Sequence, residues 1–167
     1  MTPQSKGLAL SIDDALDQVR SFHRHIRAPV AEQPMLLPRH PGKALAATIL
    51  VGRLAKELAR SADGDKDVLL CRAAMELEEL AEWLLAHGNS NLVDVADALG
   101  DRFYLLLGDS VATGLPLAEL FQEIHRSNMS KLAAVHTSVG KGVKGDSYKR
   151  PEIAKVLARF GYSQTII

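Results

Sequence analysis

Apolar residues recur at helical spacing through most of the chain, in stretches separated by proline, glycine and asparagine. No stretch shows a convincing strand alternation. The pattern predicts helices over about 12–26, 43–60, 66–87, 92–107 and 116–130, and a short C-terminal helix after Pro151. Ser11 and the run 89–91 are typical helix caps, and Pro116 is typical of a first turn. The fold class is therefore all-α, with short connections that favour antiparallel packing.

Two connections are not helical. Residues 28–42 are broken by four prolines, at positions 29, 34, 38 and 41. Residues 135–151 contain too many glycines and lysines for a helix. At 167 residues we expect a single domain over 1–167.

The composition excludes several classes of protein. Zero formal net charge argues against a nucleic-acid partner. The single Cys71 rules out a disulfide framework and cannot build a zinc site alone. No apolar run reaches the length of a membrane span, and the N-terminus lacks a signal-peptide pattern, so we expect a cytoplasmic protein with no membrane partner.

The zero net charge conceals a segregation of charge along the chain. Residues 76–123 hold ten acids and a single cation, Arg102, whereas residues 124–159 hold eight cations and two acids. Two interpretations follow. The basic tail folds onto the acidic centre as simple electrostatic pairing, or the two blocks together bind a polyanion through bridging cations.

The predicted helix over 66–87 carries acids on one side. Glu78, Glu79 and Glu82 fall within about 100° of arc, opposite a leucine-rich side. A solvated face of an amphipathic helix is one interpretation. Such a face usually interleaves Lys with Glu, however, because like charges one turn apart repel, and no Lys or Arg is interleaved here.

The next predicted helix carries a second row of acids. Asp94, Asp97 and Asp101 lie within about 60° of one another, while apolar side chains cover most of the remaining circumference. A helix that is apolar nearly all round is buried, so we expect its acids to face another element. Two unit charges about 4 Å apart repel by roughly 1 kcal/mol in water and by more inside a protein. A divalent cation would offset that repulsion.

The kind of metal follows from the donor atoms. A di-iron bundle needs Glu-x-x-His pairs, which are absent, and zinc sites built from thiolates or imidazoles are equally unsupported. Carboxylate oxygens alone imply Mg²⁺, with Mn²⁺ as the alternative, and Mg²⁺ usually acts on a phosphate-bearing substrate. A structural carboxylate cluster without a ligand remains the other interpretation.

Several motifs, in order along the chain, resemble those of one enzyme family. They are the acidic EELAE at 78–82, VADALGDRFYLLLG at 95–108, FQEIHRSNMSKL at 121–132 and GKGVKGDSYKRPEI at 140–153. Together they resemble the MazG-like branch of the all-α NTP pyrophosphohydrolases, which includes phosphoribosyl-ATP pyrophosphohydrolase-like and dUTPase-like proteins. The resemblance implies an antiparallel helical bundle with a four-helix metal-binding core, completed by homo-oligomerisation as a dimer or, alternatively, a tetramer.

The resemblance also implies roles for individual acids. Glu79 and Glu82 match the metal-binding glutamates, and Asp101 matches the Asp of the family's E-x-x-D motif. The Glu of that motif would fall on Ala98 and is missing, so we expect Asp97 to supply the oxygen, with Asp94 as an outer or alternative ligand. The implied metal ligands are Glu79, Glu82, Asp97 and Asp101, and the implied base is Glu78.

Substrate binding is assigned to the C-terminal third. Amide, ammonium and phenol groups there suit a triphosphate or its base: Asn128, Lys131, Lys141, Lys144 and Tyr148. Tyr148 packs either on a base or on the protein. Relative to shorter family members, residues 39–65 look like a helical insertion, and 136–151 form a basic glycine-containing loop.

The resemblance implies a Mg²⁺-dependent enzyme that converts an NTP or dNTP to the monophosphate and pyrophosphate, for sanitation or control of nucleotide pools. Because Ala98 replaces a family glutamate, a catalytically silent nucleotide-sensing or protein-interaction module is the alternative. The base and sugar of the substrate do not follow from the sequence.

Overall fold

The computed structural model describes residues 10–64, 66–134 and 139–162. It is helical, as predicted, with one very small sheet. The elements in chain order are α1 (Ile12–His25), α2 (Pro41–Ser61), α3 (Val68–Gly88), α4 (Leu92–Thr113), α5 (Leu117–Met129), β1 (Leu132–Ala133), β2 (Gly142–Val143) and α6 (Ile153–Ala158). No helix in these described ranges is long and apolar enough to cross a bilayer.

Three helices, α1, α3 and α4, begin at residues whose side chains accept hydrogen bonds from free backbone N–H groups. At α1, Ser11 Oγ accepts from the N–H of Asp14 at 3.0 Å, and Asp14 Oδ2 accepts from the N–H of Ser11 at 3.1 Å. At α4, Asn91 Oδ1 accepts from the N–H groups of Val93 and Asp94 at 3.1 and 3.3 Å. Both predicted caps are therefore confirmed.

The chain forms two compact units. The central unit (32–114) contains α2, α3 and α4, and the terminal unit (1–31 with 115–167) contains α1, α5, α6 and the β1–β2 pair. In the terminal unit, antiparallel pairing sets Leu132 opposite Val143 and Ala133 opposite Gly142. Two-residue strands are too short to show alternation, so the sequence pattern did not predict them. The single domain over 1–167 stays a prediction.

Two predictions about α4 need correction. The helix runs to Thr113 rather than about Leu107, and ends where Gly114 adopts the left-handed conformation with φ 69°. It is not buried nearly all round. Val95 and Ala98 are buried, whereas outward-facing apolar side chains are largely exposed: Val93 (76%), Tyr104 (76%) and Val111 (84%). The reason is that α3 covers one side of α4 and leaves another side uncovered.

Candidate functional site

The two acid-bearing helices follow each other through a tight turn in the central unit. Asn91 closes this turn with a backbone hydrogen bond to Ala86 O at 2.9 Å, and Ser90 there has a φ of 60°. Arg39 fastens the turn, since its guanidinium donates to His87 O and to Ser90 Oγ, both at 2.5 Å. The turn returns α4 alongside α3 and brings the second row of acids back beside the first.

Glu79 is less exposed to solvent than the other acids predicted on α3 and α4. It is half-buried, and its Oε2 atom is buried without a hydrogen-bond partner. Burial raises the pKa of Glu79 above its ordinary value, and the charges of neighbouring carboxylates raise it further: Glu82, Asp101, Asp97 and Glu78. The structure therefore brings the five predicted acids of α3 and α4 into one electrostatic group, the acid cluster (Glu78, Glu79, Glu82, Asp97 and Asp101).

The acid cluster is not a preformed cage. Within the described residues, no group of three or more His, Cys, Asp or Glu side chains is arranged to hold a metal ion as it stands. Ala98, where the family glutamate would fall, is buried at 4% exposure, whereas Asp97 and Asp101 are exposed. Asp94 lies in the first turn of α4, where a carboxylate is favourable to the helix dipole whatever its other role.

Helix α2 contributes residues to the candidate site that were not predicted from the sequence. A pocket of about 320 Å³ in the central unit is lined by Thr48, Gly52 and Lys56 of α2 together with the three glutamates of the acid cluster. In the sequence, Thr48, Gly52 and Lys56 recur every four residues and so share one face of a helix that is otherwise rich in Ala and Leu. Nothing in the sequence said which neighbour that row would face.

A second group of charged residues lies between α3 and α4 outside the acid cluster. Arg72 forms an ion pair with Asp109, and its Nη2 atom donates to Leu105 O at 3.0 Å. Burial raises the pKa of nearby Glu76, with a further contribution from Asp109. This group ties the start of α3 to the end of α4, which makes it a structural contact.

The terminal unit holds the predicted substrate-binding residues, beginning at the end of α5. Lys131 Nζ donates to Asn128 Oδ1 at 2.7 Å, so the amide and the ammonium lie side by side as predicted. The carbonyl of Lys131 is 2.6 Å from Nε2 of His25 on α1. This contact fixes the backbone from which the lysine projects.

The backbone of the basic loop is held by two serine hydroxyls at the end of α5, those of Ser127 and the C-cap residue Ser130. Ser127, which is 2% exposed, donates through Oγ to Lys149 O at 2.8 Å. The N–H of Lys149 donates to Ser130 Oγ at the same distance. Residues 136–138 of the predicted loop lie outside the described residues.

The loop side chains differ in their surroundings. Lys141 and Lys144 are exposed, and Tyr148 is half-buried. Lys144 Nζ lies 5.0 Å from the centre of the Tyr148 ring, a cation–π contact within the loop. This contact supports the interpretation in which Tyr148 packs on the protein. The acids and the lysines belong to different compact units.

The stretch from the last turns of α2 to the end of α5 is similar to a known enzyme family. Residues 55–128 match the family model of phosphoribosyl-ATP pyrophosphohydrolase. The match confirms the predicted resemblance to the all-α NTP pyrophosphohydrolases, and it supports pyrophosphohydrolase chemistry on a nucleotide phosphoanhydride. No curated protein and no solved structure matches the chain significantly.

The phosphoribosyl-ATP pyrophosphohydrolase match covers somewhat under half of the chain. It contains the whole acid cluster and Asn128. Four of the five predicted substrate-binding residues lie beyond its end: Lys131, Lys141, Lys144 and Tyr148. The roles of these four rest on the motifs of the sequence and on the contacts described above.

Proposed function

We propose that this protein hydrolyses a nucleoside or deoxynucleoside triphosphate to the monophosphate and pyrophosphate. The acid cluster carries the proposal, because the charges of four neighbouring carboxylates on α3 and α4 raise the pKa of Glu79 and no cation is among the groups that shift it. They lie inside the segment that matches the family model. A phosphate-bearing substrate accompanied by divalent cations is the chemistry that such a charge distribution fits.

The donor set fits a divalent cation. Glu79, Glu82, Asp97 and Asp101 would hold Mg²⁺, or Mn²⁺ as the alternative, because their oxygens are hard ligands. The Oε2 atom of Glu79 is buried without a hydrogen-bond partner, and its lone pairs are therefore available to ligate a cation. The side chains would converge through changes of rotamer, which exposed Asp and Glu make readily. When bound, the cation neutralises charge on the phosphate oxygens.

The remaining residues would carry out the proton transfer and charge stabilisation. Glu78, an exposed carboxylate beside Glu79, would take a proton from the attacking water. The water oxygen forms a bond to the α-phosphorus, and the bond from this phosphorus to the oxygen that bridges the α and β phosphates breaks. Pyrophosphate leaves with the electron pair of that bond. Lys131, Lys141 and Lys144 would stabilise the charge on the leaving pyrophosphate. Asn128 holds the ammonium of Lys131 in place.

The proposal includes a homo-oligomer, a dimer first and a tetramer as the alternative. The uncovered apolar side chains of α4, among them Val93, Tyr104 and Val111, support it, because exposed apolar surface of this kind favours association. Light scattering coupled to size exclusion measures the mass in solution. A monomer at micromolar concentration would contradict this part of the proposal.

The test of the activity is a substrate panel. Purified protein with Mg²⁺ is offered canonical and modified NTPs and dNTPs together with phosphoribosyl-ATP, and the products are resolved. We expect a monophosphate and pyrophosphate from at least one substrate, and loss of that activity in Glu82→Gln. Glu57→Gln on α2, whose side chain is 63% exposed and pairs with Arg60, is the matched control. Tight binding of one nucleotide without turnover would favour the silent sensing module instead.

A further inference from the structure

Helix α2 packs along α3 as an antiparallel neighbour. Only a short connection separates the end of α2 at Ser61 from the start of α3 at Val68, and the start of α2 reaches the end of α3, where Leu45 lies against Gly88. A Cβ atom on Gly88 would come within 2.7 Å of Leu45 Cδ2, so the Leu45 side chain occupies the space that the glycine leaves. Ala55 in the middle of α2 is completely buried. The position of α2 along α3 is therefore fixed by close packing.

This packing sets one row of α2 beside the acids of α3. Thr48, Gly52 and Lys56 are four residues apart and lie on one side of α2. They line the pocket of about 320 Å³ whose other wall includes Glu78, Glu79 and Glu82. The pocket is thus an extension of the proposed active site onto a helix to which neither charge nor motif had assigned a role.

Lys56 is the cation of this pocket. Its side chain is exposed, and across the described parts of the chain it forms no ion pair within 4.0 Å. Arg60, one turn further on the same helix, is paired with Glu57 at 2.8 Å. An ammonium beside three glutamates but not bound to them is placed to contact an anion that those glutamates hold through cations.

Gly52 is the open part of the pocket wall. Glycine is among the poorest helix formers, and this one lies in the interior of a 21-residue helix. A Cβ atom there would meet no heavy atom within 4 Å, so close packing within the protein does not require the glycine. Gly52 and Glu82 both line the pocket, so the space that the glycine leaves belongs to it.

We propose that α2 is a wall of the substrate site, in which Lys56 binds a phosphate group of the triphosphate and Gly52 leaves room for the nucleotide. This inference rests on the proposed function, because it takes the ligand of the acid cluster to be a triphosphate. It assigns a role to the predicted insertion at 39–65. It also makes part of the substrate contact independent of the basic loop.

The test measures binding of a non-hydrolysable triphosphate, with an imido group between the α and β phosphates, by calorimetry in Mg²⁺. The base is that of the best substrate in the panel, or of the tightest-binding nucleotide if none is hydrolysed. We expect Lys56→Gln to weaken binding about tenfold, and Lys56→Arg to recover part of the loss. Arg53→Gln, which removes an exposed cation of α2 outside the pocket, should change binding less than twofold.

Gly52→Ala provides a second measurement. Alanine should raise the unfolding temperature, because it favours the helix and meets no neighbouring atom, while it weakens triphosphate binding by narrowing the pocket. A merely structural glycine would not separate the two effects in this way. Unchanged binding in both Lys56→Gln and Gly52→Ala would overturn the inference.

The outcomes also distinguish this inference from the proposed function. If the wild-type protein turns over a triphosphate and Lys56→Gln behaves like Arg53→Gln, the role of α2 in substrate binding is rejected and the proposed activity is retained. If the wild-type protein binds the analogue but turns over none of the substrates, the proposed activity is rejected. The comparison of Lys56→Gln with Arg53→Gln then still tests whether α2 contributes to binding. A wild-type protein that neither binds nor hydrolyses any triphosphate overturns both.

Discussion

Arg126 and Glu123 form a two-pronged ion pair one turn apart on α5, with Nε–Oε2 and Nη2–Oε1 distances of 2.9 and 2.6 Å. The pair also reaches the end of the basic loop. Arg126 donates to Arg150 O at 2.8 Å, and Glu123 accepts from the N–H of Glu152. Two side chains of α5 therefore fasten the segment between the loop and α6.

The stability contributed by these contacts of Glu123 should depend on pH. The hydrogen bond from Arg126, and then that from the N–H of Glu152, lower the pKa of Glu123 from 4.5 to about 2. Because the folded pKa lies below the unfolded one, the carboxylate contributes stability above pH 4.5, and this contribution is lost as the pH falls towards 2. Denaturant unfolding at pH 6 and pH 3 should show a larger penalty for Glu123→Gln at pH 6. Glu119→Gln, on the same helix, is the control, and a penalty independent of pH would contradict the prediction.

A buried serine should contribute to the same segment. Ser127→Ala removes the hydrogen bond to the carbonyl of Lys149 and leaves that acceptor to water or without a partner. We expect a loss of about 1 kcal/mol in the free energy of unfolding. Chemical denaturation measures it, with the exposed Ser21→Ala as the control. Equal stability of the two variants would show that the loop does not depend on this bond.

Gly140 should not tolerate a side chain. Its φ is 62°, and a Cβ atom would lie 2.2 Å from the Cα atom of Ala28, which is backbone and cannot rotate away. Gly161 in the same unit also has a positive φ, of 85°, but meets no atom within 4 Å. Gly161→Ala should cost roughly 1–2 kcal/mol from conformation alone, and Gly140→Ala should cost clearly more. The difference in unfolding free energy between the two variants measures the contact with Ala28, and similar costs would count against it.

The choice of Asp97 and Asp101 as the second pair of proposed metal ligands can be tested by matched Asp→Asn changes on α4. Asp97→Asn and Asp101→Asn should lower kcat/KM by about 100-fold or more, roughly 2.7 kcal/mol or more of transition-state stabilisation, and should raise the Mg²⁺ concentration needed for half-maximal activity. Asp94→Asn should change both quantities by less than threefold. Initial rates over a range of substrate concentrations give kcat/KM, and titration of Mg²⁺ or Mn²⁺ at saturating substrate gives the half-maximal metal concentration. An Asp94 variant as impaired as the Asp97 variant would reassign the pair.

Much of the fold was readable from the sequence because helix ends carry their own chemical signals. Ser11 and Asn91 cap α1 and α4 as predicted, and prolines mark the connection before α2. The end of α4 was placed too early, because Gly108, Asp109 and Ser110 are poor helix formers, although the helix continues through them to Thr113. The exposure of Tyr104 could not be read at all, since an apolar side chain is equally compatible with the interior and with an association surface.

The acid cluster was predictable for a different reason. A helix repeats every 3.6 residues, so spacing alone sets Glu78, Glu79 and Glu82 on one side, and a short turn returns Asp97 and Asp101 to them. The role proposed for Lys56 was not predictable, because periodicity shows which residues share a face of a helix but not which element that face contacts. Its neighbour became apparent only when α2 was seen beside α3.

The division of the chain into two units has a consequence for the order of folding. The central unit is one continuous segment, so α2, α3 and α4 can pack together once Gly114 has emerged from the ribosome. The terminal unit cannot form at that stage, because α1 must wait for α5, and closing a loop that spans the whole central unit costs about 4 kcal/mol of chain entropy. We therefore expect α1 to be the first helix made and among the last to reach its native contacts.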